Sequence, residues 1–386
     1  MNHQTCVPQA PLELSSIWHH FQDNLFPWLE DALSPLSAKQ MQLVQVLEMA
    51  QIETYLPYLG RVPGRPLESR DSIARAFVAK AVYNLSTTEM LLDRLAFDIQ
   101  LRRLCGWEKK SDIPSSSTFS RAFAEFSTSD LTTRIHENII KQQLGPQLVG
   151  HISRDSTAIK AREKPQIVKQ QVKQAPKKRG RPKKGEERIK EPTRLERQSQ
   201  SMTLAQMKAE LPSACNVGTK RNSKGHQSSW VGYKLHIDAA DGGIPVSCLL
   251  SSASLHDSQV AISLAEMTHQ RVDSLYDLMD AAYDAPLIKA HSASLGHTPI
   301  IDENPRTKER KADLEDEYKR RRLMGYKVAE DIRYNERSTV ERVNGRLKDE
   351  FGANMLRVRG AKKVMCHLMF GVIVLTAIQF MTFTEW

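Results

Sequence analysis

Near the end of this 386-residue chain, the stretch YNERSTVERVNGRLK, residues 334–348, sets Tyr334, Arg337, Glu341 and Lys348 at steps of three, four and seven. At about 100° per residue of α-helix, these four fall within roughly 60° of one another. Val340, Val343 and Leu347 fall on the opposite side. Such a helix would anchor one face in a core and gather a phenol, two cations and a carboxylate on the other.

Two further carboxylates sit where a sheet could bring them to that helix. Asp155 lies in HISRDSTAI and Asp280 in DLMDAAYDA, both strand-like segments. Side-by-side carboxylates repel unless a cation sits between them. An oxygen-rich cluster of this kind suits Mg²⁺ or Mn²⁺. Two such ions about 3.5–4 Å apart would activate a nucleophile and stabilise a leaving oxygen in phosphoryl transfer. Spacing alone leaves Asp277 and Asp284 open beside Asp280, and Glu336 beside Glu341. With 45 acidic residues in the chain, the plain alternative is a surface helix with an Arg337–Glu341 pair worth a few tenths of a kcal/mol.

Stepping along the chain, residues 1–65 are proline-interrupted, with one helix expected around 38–53. Residues 71–140 read as successive helices. DSIARAFVAKAVYNL carries an apolar stripe with Asp71 or Ser72 as N-cap, and Ser86 with Glu89 form a capping box for the next helix. Such a cluster fits a DNA-binding domain or a supporting bundle. From about 146 the period changes. LVGHISRDSTAI, WVGYKLHIDAA and GIPVSCLLSS read as strands, with a DGG turn closing a hairpin. SLYDLMD and HTPIID add two more strands, separated by helices. This order predicts an α/β mixed sheet covered on both faces. A charged surface helix is expected within 303–333.

Composition bounds the partners. The net charge is +10 and the pI about 9.3, which favours a polyanionic partner. Residues 160–198 hold 15 Lys/Arg against 5 Glu, an excess equal to that of the whole chain. Five scattered cysteines without a CxxC pair exclude a disulfide framework and a zinc site. No signal peptide is visible. Residues 364–381 are strongly apolar but interrupted by His367 and Gln379, so a buried helix is expected in place of a membrane span. A reducing, cytoplasmic setting follows.

Tyr334-x2-Arg337-x3-Glu341-x6-Lys348 matches at all four positions the Y-(2)-R-(3)-E-(6)-K signature of DDE transposases from bacterial insertion sequences. RDSTAI and LMDAAYDA resemble the segments around that family's two catalytic aspartates, GYKLHIDAADGGIP the strand pair between them, and residues 70–126 its helical N-terminal domain. The resemblance covers roughly residues 65–380. It implies an RNase H-like catalytic domain over 146–386, with a basic, flexible insertion at 160–229, after a helical DNA-binding domain at 66–145 and an N-terminal segment at 1–65. It further implies that Asp155, Asp280 and Glu341 bind two Mg²⁺ ions, with Mn²⁺ as substitute, and that Tyr334, Arg337 and Lys348 contact double-stranded DNA. Water would cut the DNA at transposon ends, and the freed 3′-OH would attack a second phosphodiester. Pairing two ends implies a homodimer or larger assembly. One departure stands out: relatives often carry a β-rich insertion before the Glu, whereas here the 61 residues from Asp280 to Glu341 look helical and charged. The alternatives are a DNA-binding protein of transposon descent without chemistry, and a metal-dependent nuclease without strand transfer.

Within the insertion, PKKRGRPKKG, residues 176–185, resembles an AT-hook. Gly180 would let the backbone approach the groove floor, Arg179 and Arg181 would enter a narrow A·T minor groove, and Lys178 and Lys183 would meet phosphates. A disordered basic linker is the alternative. Lys220, Arg221 and Lys224, in GTKRNSKGHQ, would bind the DNA end or form a solvated turn.

Overall fold

The computed structural model describes residues 35–56, 68–166, 191–200, 202–221 and 225–384. It divides into two compact units: Met1–Ile139 with Glu350–Gly352 and Leu368–Trp386, and Ile140–Asp349 with Ala353–His367.

In the first unit, α1 (Ala38–Ala50), α2 (Arg70–Val82), α3 (Thr88–Phe97), α4 (Ile99–Cys105), α5 (Ser116–Thr128) and the start of α6 (Leu131–Gln143) follow in order. Their core is aromatic: the Phe77 ring lies 4.9 Å from Phe123, 5.8 Å from Phe119 and 5.6 Å from Phe370. Two caps differ from expectation. Ser69 caps α2, its hydroxyl accepting from the Ser72 N–H, so the cap lies two to three residues before the expected Asp71 or Ser72. Thr87, not Ser86, accepts from the Met90 N–H at the start of α3, while the Ser86 hydroxyl turns to the Met90 sulfur.

The second unit is built on a six-stranded mixed sheet. Its strands are β1 (Leu148–Lys160), β2 (Asn216–Arg221), β3 (Gln227–Ala240), β4 (Ile244–Ser252), β5 (Asp273–Met279) and β6 (Thr298–Ile301). Their order is β2-β3-β1-β5-β6, with β4 also on β3. β3 runs antiparallel to β1, β2 and β4, and β5 runs parallel to β1 and β6. The first half of β3 pairs with β2 and the second half with β4. At the switch stands Gly232, where a Cβ would lie 2.0 Å from the Ile159 carbonyl oxygen, so only glycine lets β1 and β3 close there. β2 was not foreseen: its residues, read as a turn, form a hairpin with an extended β3.

Helices cover both faces, as an RNase H-like sheet requires. Two short helices, α7 (Arg194–Gln200) and α8 (Leu204–Glu210), precede β2. The insertion is therefore folded in its second half, where Leu211 packs against Leu249, Val260, Leu264 and Met267. α9 (Ala261–His269) and α10 (Pro286–Ser294) line one face; Met279, Tyr283 and Ile288 meet Ala261 there. After β6 come α11 (Lys308–Leu323), α12 (Ala329–Tyr334), a 3₁₀ turn over Asn335–Arg337, and α13 (Ser338–Asp349). α13 lies on the opposite face. Val340, Val343 and Leu347 are all buried, and at about 1.5–3 kcal/mol per aliphatic side chain they hold it on the sheet. The 3₁₀ turn corrects the expectation of one continuous helix from Tyr334 to Lys348: residues 335–337 wind more tightly, so Tyr334 leaves the angular register of α13.

The chain ends in α14 (Ala361–Thr384). It is long and apolar enough to span a bilayer, with mean hydropathy 2.1, yet 72% of its most apolar window is buried inside the protein. It behaves as a core helix.

Candidate active site and nucleic-acid interface

Asp155 reaches its place through strand alternation. In β1, Arg154 and Ser156 face α9, while Ser153 and Asp155 face α13. The contacts agree: Thr268 of α9 donates to Asp238, the partner of Arg154, and Asn344 of α13 donates to Asp155. In the parallel pair β1–β5 the last aligned residues are Arg154 and Met279. Asp155 and Asp280 each follow by one residue. They occupy the next rung on the same face, on strands about 4.8 Å apart. Asp280 ends β5 by capping the turn Ala281–Tyr283, its Oδ1 accepting from the Ala282 N–H at 3.0 Å.

Behind this rung lies a buried clamp. The Arg154 guanidinium donates through Nε and Nη2 to both Asp238 oxygens at 2.7 Å, and its Nη1 lies 3.3 Å from the Met279 sulfur. Burial works against its charge, but the Asp238 carboxylate outweighs it. One cation thus ties β1 to β3 and contacts β5 at the residues just before the two aspartates.

Neither aspartate is comfortable as an anion. Burial pushes Asp155 up to about 6, and Asp280 adds to the rise, against the Ser156 N–H, Arg337 and Lys220. Asp280 is also raised, chiefly by burial, with Asp257 contributing and the Ala282 N–H and Arg337 opposing. Asn344 Nδ2 donates to Asp155 Oδ2 at 3.2 Å. The Asn344 Oδ1 is buried without a partner.

Arg337 stands between carboxylates. Its Nη2 lies 3.8 Å from Asp280 Oδ2 and its Nη1 donates to Glu341 Oε1 at 2.6 Å. Its Nε is buried without a partner, and its guanidinium carbon lies 5.9 Å from the centre of the Tyr334 ring. Burial pushes the Tyr334 phenol up to about 12. Lys348, one turn beyond Asn344, is held below its ordinary value by burial and by Lys220, while Asp155 pulls the other way. The β2–β3 hairpin thereby delivers Lys220 to the same site.

The structure brings together Asp155, Asp280, Tyr334, Arg337, Lys220 and Lys348. Glu341 joins them through Arg337, with its side chain 57% exposed. Among the described residues no three His, Cys, Asp or Glu side chains are grouped closely enough to share an ion. Asp277 faces away: Ser292 donates to it and His297 Nδ1 lies 3.3 Å from it on the α9 side. Asp284 pairs with Lys289 at 2.6 Å. Glu336 contributes its backbone carbonyl, which accepts from the Ser153 hydroxyl. Arg221 ends β2. Lys178, Arg179, Arg181, Lys183 and Lys224 lie outside the described residues.

Two features were not read from the sequence. Asn344 follows Glu341 by three positions, a spacing that places them on neighbouring turns, but an amide in a polar helix gave no signal. The Lys234–Asp257 pair (2.9 Å), with Lys234 also donating to the Leu255 carbonyl, had none either. Asp257 accepts from Ser156, the residue after Asp155.

Residues 150–377 match the transposase DDE domain family, and residues 29–125 match a second family described as Transposase domain (DUF772). No curated protein and no solved structure matches the chain. The matched stretch holds the mixed sheet with its two adjacent aspartates, the turn that carries Arg337 and the helix that carries Glu341. The chain belongs to the DDE transposase family typical of bacterial insertion sequences.

Proposed function

We propose that this transposase cleaves double-stranded DNA at the inverted-repeat ends of its own element and joins the freed 3′-OH to a target phosphodiester. The observation that carries this reading is the pair of crowded, partly desolvated carboxylates, Asp155 and Asp280, beside a half-buried Arg337 whose Nε–H is unused.

The donor set fits a hard divalent cation. Asp155 and Asp280 offer oxygen only, burial disfavours their charge in the absence of a counter-ion, and Asn344 holds a buried oxygen that no donor satisfies. We assign Asp155, Asp280 and Glu341 to Mg²⁺ binding, with Mn²⁺ as substitute and two ions per site. Glu341 would first have to leave Arg337. When bound, such ions lower the pKa of a coordinated water and stabilise charge on the phosphoryl group.

The chain's own groups supply position. Asn344 fixes the Asp155 carboxylate. The Arg337 fork, with its free Nε, suits a non-bridging phosphate oxygen beside the scissile bond. Lys348 and Lys220 offer point charges to the flanking phosphates, and Tyr334 packs against Arg337 and limits its swing. In cleavage, water attacks phosphorus in line and the 3′-oxygen leaves with a proton. In joining, that 3′-oxygen attacks a second phosphorus, and a target 3′-oxygen leaves. Two ends must be held for joining, so we assign a dimer or larger assembly on DNA.

The test is a cleavage and strand-transfer assay on labelled end DNA, with and without Mg²⁺, for wild type, Asp155→Asn and Glu341→Ala. Metal-dependent nicking and joined product, both lost in the variants, are expected. Binding without cleavage, the same in all three, would make this a DNA-binding protein without chemistry; nicking without joined product would make it a nuclease.

A further inference from the structure

Helix α11 has no buried residue along its length. At 1.5 Å per residue its sixteen residues extend about 24 Å. A helix polar on every side is kept by its own ion pairs or by a partner it bridges to. Its base is tied by Arg310, whose Nε and Nη2 both donate to Glu303 at 2.8 Å. Its far end is tied by Arg321, which bonds Glu317 and lies 3.4 Å from Asp331 of α12. α12 is in turn seated on the sheet, with the Arg333 guanidinium 4.6 Å over the Tyr276 ring. Tyr334 and Arg337 follow directly.

The end of α11 is a built turn. Gly325 has φ +62°, its N–H donates to the Arg322 carbonyl, and the Tyr326 N–H reaches back to the Arg321 carbonyl. This double bond pattern with glycine at the left-handed position is a Schellman cap. It projects Leu323 (87% exposed), Met324 (73%) and Tyr326 (62%) into solvent. Charge is segregated along the helix. Residues 308–317 hold five of its carboxylates, whereas residues 318–328 hold five cations and no carboxylate. Arg320, Arg322 and Lys327 are exposed and have no side-chain partner among the described residues.

We infer that the turn Arg320–Lys327 is a second DNA-gripping element, apart from the Asp155–Asp280 site and mechanically linked to it through α12. Arg320, Arg322 and Lys327 neutralise backbone phosphates of a duplex flanking the cut. Leu323 and Met324 lie against sugar edges in its groove, where apolar side chains are found among cations in DNA-bending proteins. A protein or membrane partner could use the apolar tip, but with Glu317 and Asp331 both taken up by Arg321, the unpaired Arg320, Arg322 and Lys327 are complementary to a polyanion. The inference rests on the DNA reading above.

The test uses the full chain and a labelled duplex bearing the element's end, titrated between ~50 and ~200 mM salt. Arg320→Ala/Arg322→Ala/Lys327→Ala should weaken binding and flatten the slope of log K against log salt by about 0.9 for each lost phosphate contact, so by about 2.7 for three. Leu323→Ser/Met324→Ser should weaken binding with the slope unchanged. All five side chains are exposed, so melting temperatures should match wild type. An unchanged affinity and slope in the triple variant, with wild type binding normally, overturns the inference and leaves the transposase reading standing. So does a change confined to oligomeric mass by light scattering, which would make the turn a contact between copies. Wild type that binds no DNA overturns both, while binding without cleavage bears on the chemistry alone.

Discussion

Asp155→Asn should stabilise the fold while abolishing cleavage. Burial sets the Asp155 carboxyl at about 6 in the folded chain, against an ordinary value of 3.8. The folded state therefore holds its proton to higher pH than the unfolded state does. Above pH ~6 the carboxylate is charged in both states, and the full penalty of burying it is present. Between ~6 and ~4 the folded group is protonated first, so the penalty fades as pH falls; below ~4 it is gone. A gap of about two, at ~1.4 kcal/mol for each, gives about 3 kcal/mol, or nearer 2 for a side chain that still meets some solvent. Asparagine keeps the shape and carries no charge. It also removes repulsion from Asp280, which acts in the same direction. Urea denaturation of both proteins from pH 4 to 8 should show the variant ahead by about 2 kcal/mol at the top of the range and level at the bottom. Millimolar Mg²⁺ at neutral pH should raise the melting point of wild type and not of the variant, because ligand binding to the folded state alone stabilises it. A variant less stable than wild type at pH 8, or a difference independent of pH, would refute the burial account of Asp155.

Other outcomes follow from the same geometry. Asn344→Ala should cost about 1–3 kcal/mol, through the donor lost to Asp155, and should slow single-turnover cleavage more than it weakens DNA binding. Arg154→Ala should destabilise by about 3–5 kcal/mol in thermal or urea unfolding, since it strands the buried Asp238 carboxylate; Arg154→Met with Asp238→Leu should recover much of that loss. Arg337→Lys retains a cation but loses the fork, and single-turnover assays should show at least tenfold slower cleavage with the salt slope of DNA binding nearly unchanged. Leu347→Ala, beneath α13, should cost about 2–5 kcal/mol by equilibrium unfolding.

Much of the secondary structure was legible because it depends on local pattern. The apolar stripe of Val340, Val343 and Leu347 is a helical period and is buried as one. The alternation in β1 and β3, and the DGG turn at 241–243, are likewise local. Caps were misread by one to three residues because several Ser, Thr and Asp residues compete at each start, and packing selects among them. β2 was missed because its cationic, glycine-containing sequence has little strand preference by itself; pairing with β3 supplies it.

By itself, the sequence determined which residues could do chemistry: a tyrosine, arginine, glutamate and lysine at helical spacing, aspartates in strands, and a basic segment for a polyanion. Spacing alone could not choose among Asp277, Asp280 and Asp284, because a carboxylate's partners are set by the strand beside it. Only the tertiary structure set those partners. The register Arg154–Met279 puts Asp155 and Asp280 on one rung and one face, and turns Asp277 toward Ser292 and His297. The same packing drew Asn344 onto Asp155, set Arg337 between Asp280 and Glu341, and left the α11 turn open to solvent. Each is a contact between residues far apart in the chain, fixed by how strands pair and helices cross them.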